Sequence, residues 1–157
     1  MEKVLAYIEQ HRERFLAELK ELIAIPSVST KPEHKKDIHQ CAQWLGDHLT
    51  AFGMTQTKVF STGGHPIVYA EWMGAAGQPT ILFYGHYDVQ PPEPLELWLS
   101  PPFKAAIRDR RLYGRGATDD KGQFFVHLKT LEAYLRTVGE FPVNLKMILE
   151  GEEEIGA

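Results

Sequence analysis

Cysteine is almost missing from this chain: Cys41 stands alone, which excludes an internal disulfide, and its place in a helical periodicity away from other polar motifs reads as a core thiol. Long apolar runs are missing too. No stretch approaches the roughly 18 consecutive apolar residues of a membrane-spanning helix. The opening residues, Met1-Glu2-Lys3-Val4-Leu5-Ala6-Tyr7-Ile8-Glu9, mix charge into the apolar positions and lack the core of a secretory leader. The expected compartment is the cytoplasm, with no membrane partner. There is no basic cluster, and a net charge of −4 gives no electrostatic footprint for nucleic acid. The Gly-x-Ser-x-Gly elbow of serine hydrolases does not occur. Gly114-Arg115-Gly116 begins like a phosphate-binding loop, but Asp119 replaces its third glycine, and a carboxylate there repels a diphosphate. What is present, 157 residues of which 43% are hydrophobic and 24% charged, suffices for one domain with a real core.

Between Glu2 and Ile25 the residues Val4, Leu5, Ile8, Phe15, Leu16, Leu19, Leu22 and Ile23 recur at helical intervals, giving one amphipathic helix that ends near Pro26. A second helix is expected from about Glu33 to Phe52, burying Ile38, Cys41, Ala42, Leu45, Leu49 and Phe52, with Gly53 as its left-handed cap. His34, His39 and His48 on this segment read as solvated or capping residues, because no ligand spacing accompanies them. Thr55 to Phe60 and Ile67 to Trp72 read as a strand pair, and Thr80 to Tyr84 as a strand buried on both faces. Residues 89–103 carry five prolines and form a long loop. A helix from Asp120 to Val138 and a buried strand from Val143 to Leu149 complete the pattern. The fold class is therefore α/β, a partly parallel mixed sheet covered by helices. Ligands in such sheets gather beyond the carboxyl ends of the strands, where His86, Asp119 and the glutamates after Leu149 fall.

Those residues carry metal chemistry. Imidazole and carboxylate suit zinc, manganese or cobalt in hydrolytic sites, and two metals about 3.5–4 Å apart need a bridging carboxylate, for which Asp119 is the best placed. Asp88 follows His86 by two residues, so in extended backbone both point the same way and the carboxylate can orient the imidazole. Each motif taken singly has a bland reading: a hydrogen-bonded core His–Asp pair, an aspartate cap at a helix start, a solvated acidic turn at Glu152-Glu153-Glu154. Glutamates on successive positions leave a strand in opposite directions, so one can bind metal while its neighbour handles a proton. Three such motifs on one rim favour the metal reading.

The ordered runs Gly85-His86-Tyr87-Asp88-Val89-Gln90-Pro91, Leu112-Tyr113-Gly114-Arg115-Gly116-Ala117-Thr118-Asp119-Asp120-Lys121-Gly122 and Glu150-Gly151-Glu152-Glu153-Glu154-Ile155-Gly156 resemble the dizinc metallopeptidase family of carnosinase-like dipeptidases, glutamate carboxypeptidase and aminoacylase. Tyr87, Val89, Gln90, Pro91 and the loop with Trp98 are more similar to the dipeptidase branch. The resemblance implies that His86 and Glu154 each ligate one metal, that Asp119 bridges the two, that Glu153 is the general base and that Asp88 steadies His86. It also implies a cis Asp119–Asp120 peptide, two zinc ions per complete site, a dipeptide or small-peptide substrate and a homodimeric complete enzyme. Members of the family are longer, with a lid and dimerisation domain and a later aspartate and histidine completing the metal ligands. The chain is accordingly expected to be the amino-terminal part of an incomplete zinc-peptidase catalytic domain, with an unpaired sheet edge, weak zinc binding and little hydrolysis when isolated. The alternative is a non-enzymatic fragment that keeps the motifs as inheritance.

Overall fold

The first amphipathic stretch forms two helices, α1 (Glu2–Gln10) and α2 (Arg12–Ala24), in place of the single helix that the periodicity suggests. The break falls at His11, whose ring stacks on Tyr7 at a centroid distance of 3.9 Å and whose Nδ1 lies 2.8 Å from the Tyr7 carbonyl. The side chain thereby competes for an acceptor that the helical backbone also uses, and the chain bends. A 3-10 turn at Pro32–His34 leads into α3 (Lys35–Phe52), closed by Gly53 at φ 112°, as the sequence indicates. The structure, a computed structural model, describes residues 1–156. Among them, no helix is long and apolar enough to cross a membrane.

Strands β1 (Gln56–Phe60), β2 (Ile67–Trp72) and β3 (Thr80–His86) follow, then a small hairpin of β4 (Ala106–Arg108) and β5 (Arg111–Tyr113), then α4 (Lys121–Thr137) and β6 (Asn144–Glu150). The main sheet has the order β1-β2-β6-β3, with β1 antiparallel to β2, β2 antiparallel to β6, and β3 parallel to β6. Helix α4 is the crossover that parallel pairing of β3 and β6 demands. In this register His86 lies opposite Glu150, so the two strands end together on one rim. Asn144 fixes the start of that register, donating to the carbonyls of Ala75 and Gln78, both at 3.0 Å, and accepting from the Ala75 amide at 3.1 Å.

One sheet face supplies Val68, Ala70, Trp72, Leu145, Met147 and Leu149 to a core shared with Ile38, Cys41, Leu45 and Leu49 of α3 and Phe124, Phe125 and Leu128 of α4. Full burial of each large apolar side chain contributes about 1.5–3 kcal/mol, so these two helices clamp the sheet from one side. Cys41 is the core thiol expected of it. Strand β3 departs from expectation. Among the described residues it pairs only with β6 and forms the sheet edge, and Leu82 and Tyr84 on the face away from the helices are 58% and 60% exposed. An uninterrupted apolar run shows that a strand sits in a sheet, but not that both faces are covered.

Candidate metal centre

His86 is the last residue of β3 and is buried. Its Nδ1 lies 3.2 Å from Asp88 Oδ1, and its Nε2 lies 3.0 Å from Asp119 Oδ1 and 3.9 Å from Glu153 Oε2. Burial by itself depresses the imidazole pKa, but the hydrogen bond and charge of Asp88, followed by Asp119 and Asp120, outweigh it and raise the value to about 9. Asp88 is fully buried and works in two directions: Oδ1 holds the His86 ring, and Oδ2 accepts from the Glu154 amide at 3.1 Å. Burial pushes its carboxyl up, but these donors bring it below the ordinary aspartate range.

The metal-free chain should therefore show His86 titrating near pH 9 when followed by NMR in chelator. Because the folded value lies above about 6.5, the value expected of the unfolded chain, the stabilisation it brings is complete below about pH 6.5. It is lost as pH rises through about 9. A ring titrating at the unperturbed value would contradict the double carboxylate contact.

Asp119 arrives from the turn that precedes α4, and its side chain is 73% exposed toward the rim. The Asp119–Asp120 peptide is cis. Asp120 turns back, accepting from the His86 amide at 3.2 Å through Oδ2, and its own carboxyl is raised by burial and by the neighbouring Asp119 charge. The turn is packed so closely against the helix start that a Cβ at Gly122 would lie 2.0 Å from the Ala117 carbonyl oxygen, so only glycine fits there. Lys121 is fully buried, and its ammonium donates to the carbonyls of Leu22 and Ile25 at 3.0 and 2.6 Å. It ties the end of α2 to the start of α4.

Glu153 and Glu154 sit on a 3-10 turn, Glu153–Ile155, and not on an extended segment, so they do not diverge as adjacent strand residues would. Each offers a carboxylate oxygen that, with a His86 ring nitrogen, falls within a 4.8 Å cluster. The grouping thus includes Glu153, expected as a base, beside Glu154, expected as a ligand, and Glu153 is the one that comes to 3.9 Å from the ring. Gln90 donates from Nε2 to Glu154 Oε2 at 2.7 Å and to its carbonyl at 3.3 Å.

A second cluster, Glu18, His48 and Glu132, also brings ligand-type atoms within 4.8 Å of one another. Here the helices supply their own cations. Lys129 Nζ lies 2.6 Å from Glu18 and 2.9 Å from Glu132 and meets His48 Nε2, while Arg14 reaches Glu132 at 2.5 Å. Burial and then the Lys129 charge lower the His48 pKa, so His48 is a packed acceptor and neither solvated nor capping. His34 contacts Asp37 at 2.6 Å near the start of α3, and His39 is exposed, as expected. Around His86 the charges differ. Among the described residues no lysine or arginine pairs with Asp119, Glu153 or Glu154. Two carboxylates grouped with one imidazole, without a compensating side-chain cation, form a donor set that fits a divalent metal, and Asp119 reaches the same ring at 3.0 Å but lies outside that group.

Residues 82–157 match the model of peptidase family M20/M25/M40, a span that contains His86, Asp88, Asp119, Glu153 and Glu154. Over this span the chain is similar to that peptidase family. It is 34% identical over 169 residues to the Beta-Ala-His dipeptidase of Rattus norvegicus, covering 100% of the chain and 34% of the relative. It is 35% identical over 164 residues to a Cys-Gly metallodipeptidase of Candida albicans, covering 96% and 34%. The structure of human carnosine dipeptidase 1 superposes with a TM-score of 0.90 at 34% identity, over 99% of this chain and 35% of that one. The dipeptidase Dug1p of Saccharomyces cerevisiae superposes with 0.88 at 30%, over 97% and 34%. The chain thus spans about a third of the length of these relatives.

Proposed function

We propose that this chain is part of an M20 peptidase and contributes the first half of a two-metal centre that hydrolyses the amide bond of dipeptides, with zinc as the metal. His86 and Glu154 would each hold one ion, and Asp119 would bridge the pair. The observation that carries this reading is the convergence of Asp119, Glu153 and Glu154 on His86 without a lysine or arginine to neutralise them. The names of the relatives support the substrate class: one acts on Beta-Ala-His, another on Cys-Gly. Zinc bound in such a centre supplies an acidified water and polarises the scissile carbonyl.

The residues of the chain divide the remaining work. Asp88 accepts at Nδ1 of His86 and so presents Nε2 toward the cluster. Glu153, half exposed at the rim, accepts the proton of the attacking water on its carboxylate and returns it to the leaving amine nitrogen. With the relatives about three times as long, turnover is proposed for the whole protein that carries these residues, and zinc binding by the chain itself is expected to be weak.

Isothermal titration of the chain with zinc tests the reading. His86→Ala should lower the affinity by about tenfold or more, because it removes the one buried ligand around which the carboxylates gather. Equal zinc affinity in the variant and the parent chain would overturn the assignment.

A further inference from the structure

His86, Asp88 and Gln90 alternate along the segment that leaves β3, the spacing at which extended backbone puts side chains on one side. The segment is fixed rather than free. Val89 between Asp88 and Gln90 is fully buried, bridges to Val28, and donates its amide to the Ser27 carbonyl at 2.9 Å. From this anchored backbone all three polar residues reach the other motifs. His86 meets Asp119, and Asp88 links the His86 ring to the Glu154 amide. Gln90 spans 64 positions to the Glu154 carboxylate and carbonyl.

Glu154 is therefore held at three points: its N–H by Asp88, and its carbonyl oxygen and Oε2 by the Gln90 amide, whose nitrogen has two hydrogens to give. The type of donor matters. A lysine or arginine here would engage the carboxylate and cancel its charge, whereas a neutral amide fixes the orientation and leaves the negative charge for a cation. With one lone pair of Oε2 engaged by Gln90, the other carboxylate oxygen is the freer one for a metal, which favours binding through one oxygen over binding through both.

We infer that Gln90 is a positioning residue for the metal centre, orienting the Glu154 carboxylate as a ligand through a single oxygen. The inference rests on the proposed role of Glu154 in holding metal. Gln90 is itself exposed, so its hydrogen bonds compete with water, and removing it should leave the fold intact.

The test uses the full chain titrated with zinc and, separately, with cobalt, whose visible absorption reports ligand number and geometry. The parent chain is compared with His86→Ala, Gln90→Leu and, as an exposed control, Gln56→Leu. Gln90→Leu should bind zinc about tenfold more weakly, at the lower end of the loss seen when partners of metal ligands are removed. It should also alter the cobalt spectrum, while thermal unfolding in chelator stays that of the parent. Gln56→Leu should change neither metal readout. If His86→Ala binds zinc as the parent does, or the parent binds none, the metal reading fails and this inference with it. If His86→Ala is weakened while Gln90→Leu keeps the parental affinity within twofold and the parental cobalt spectrum, only the role of Gln90 is overturned. A lowered unfolding temperature in Gln90→Leu accompanied by an unchanged cobalt spectrum would likewise assign Gln90 to the fold and defeat the inference.

Discussion

Glu153→Gln is expected to lower dipeptide turnover by about a hundred- to ten-thousand-fold while zinc affinity changes by no more than a few-fold. The measurement belongs on a polypeptide that carries this sequence together with the further length its relatives have. Glutamine keeps the size and shape of the side chain and removes its capacity to accept a proton, so the substitution isolates acid–base work from packing. The geometry makes the distinction sharp. Glu153 Oε2 is 3.9 Å from His86 Nε2, beyond direct hydrogen bonding, and the side chain is 49% exposed, leaving room for a water between carboxylate and ring. Yet Glu153 also belongs to the tight group with His86 and Glu154, and such proximity equally suits a ligand. A ligand role would appear as a large loss of zinc affinity in Glu153→Gln, and a base located elsewhere as undiminished turnover. Either result would remove Glu153 from the place given to it here.

Local periodicity and turn chemistry made much of the fold legible. Helix α3 could be read to its last residue because Gly53 marks the left-handed cap and Ile38, Cys41, Leu45, Leu49 and Phe52 keep one face. That some of the sheet is parallel followed from the helix between Tyr113 and Val143, and with it the meeting of the first and third motifs on one rim, while the pairing of β3 with β6 itself is seen only in the folded chain. What escaped depends on contacts distant in sequence or on unusual local geometry. The break at His11 arises from a side chain stacking back on Tyr7, which a hydrophobic count does not register. The β4–β5 hairpin turns through Asp109 and Arg110, at φ 49° and 62°, without the glycine that usually announces such a turn.

The candidate site shows the same division. The spacing of His86 and Asp88 was enough to pair them, since two residues of extended backbone fix the relation. The placement of Glu153 and Glu154 on a 3-10 turn was not legible, because three successive glutamates carry no periodicity to distinguish a strand end from a turn. Gln90 looked like a mark of family branch, and only the folded chain brings it to Glu154. The Glu18–His48–Glu132 cluster draws one residue from each of α2, α3 and α4, so no local spacing announces it. Lys129, on the same face of α4 as Glu132 at an interval of three residues, is what makes that cluster an ion-pair network in place of a metal site.

Lys121→Met should destabilise the chain by about 2–5 kcal/mol, read as a lower urea midpoint in chelator with an unchanged slope. Two effects oppose one another. Burial disfavours the charged ammonium and depresses its pKa, so replacing a buried charge by an apolar chain of similar length can be neutral or even stabilising. Against this, the Leu22 and Ile25 carbonyls lie at the carboxyl end of α2, the negative end of its dipole, where each accepts one backbone N–H, from Ile25 at 3.4 Å and from Ser27 at 2.9 Å, and takes the ammonium as a second donor. Methionine takes a charge-assisted hydrogen bond from each carbonyl, at about 1.5–3 kcal/mol each, and this cost exceeds what is recovered by discarding the charge. The loss should reach the metal centre too, because Lys121 immediately follows the Asp119–Asp120 pair and its stem packs beneath Gly116 in the turn that presents Asp119. Zinc affinity should therefore fall along with stability, in contrast to Gln90→Leu, where affinity alone is expected to change. An unaltered urea midpoint in Lys121→Met would mean that the backbone donors of Ile25 and Ser27 suffice for those carbonyls, and that the ammonium is not what joins α2 to the metal-bearing turn.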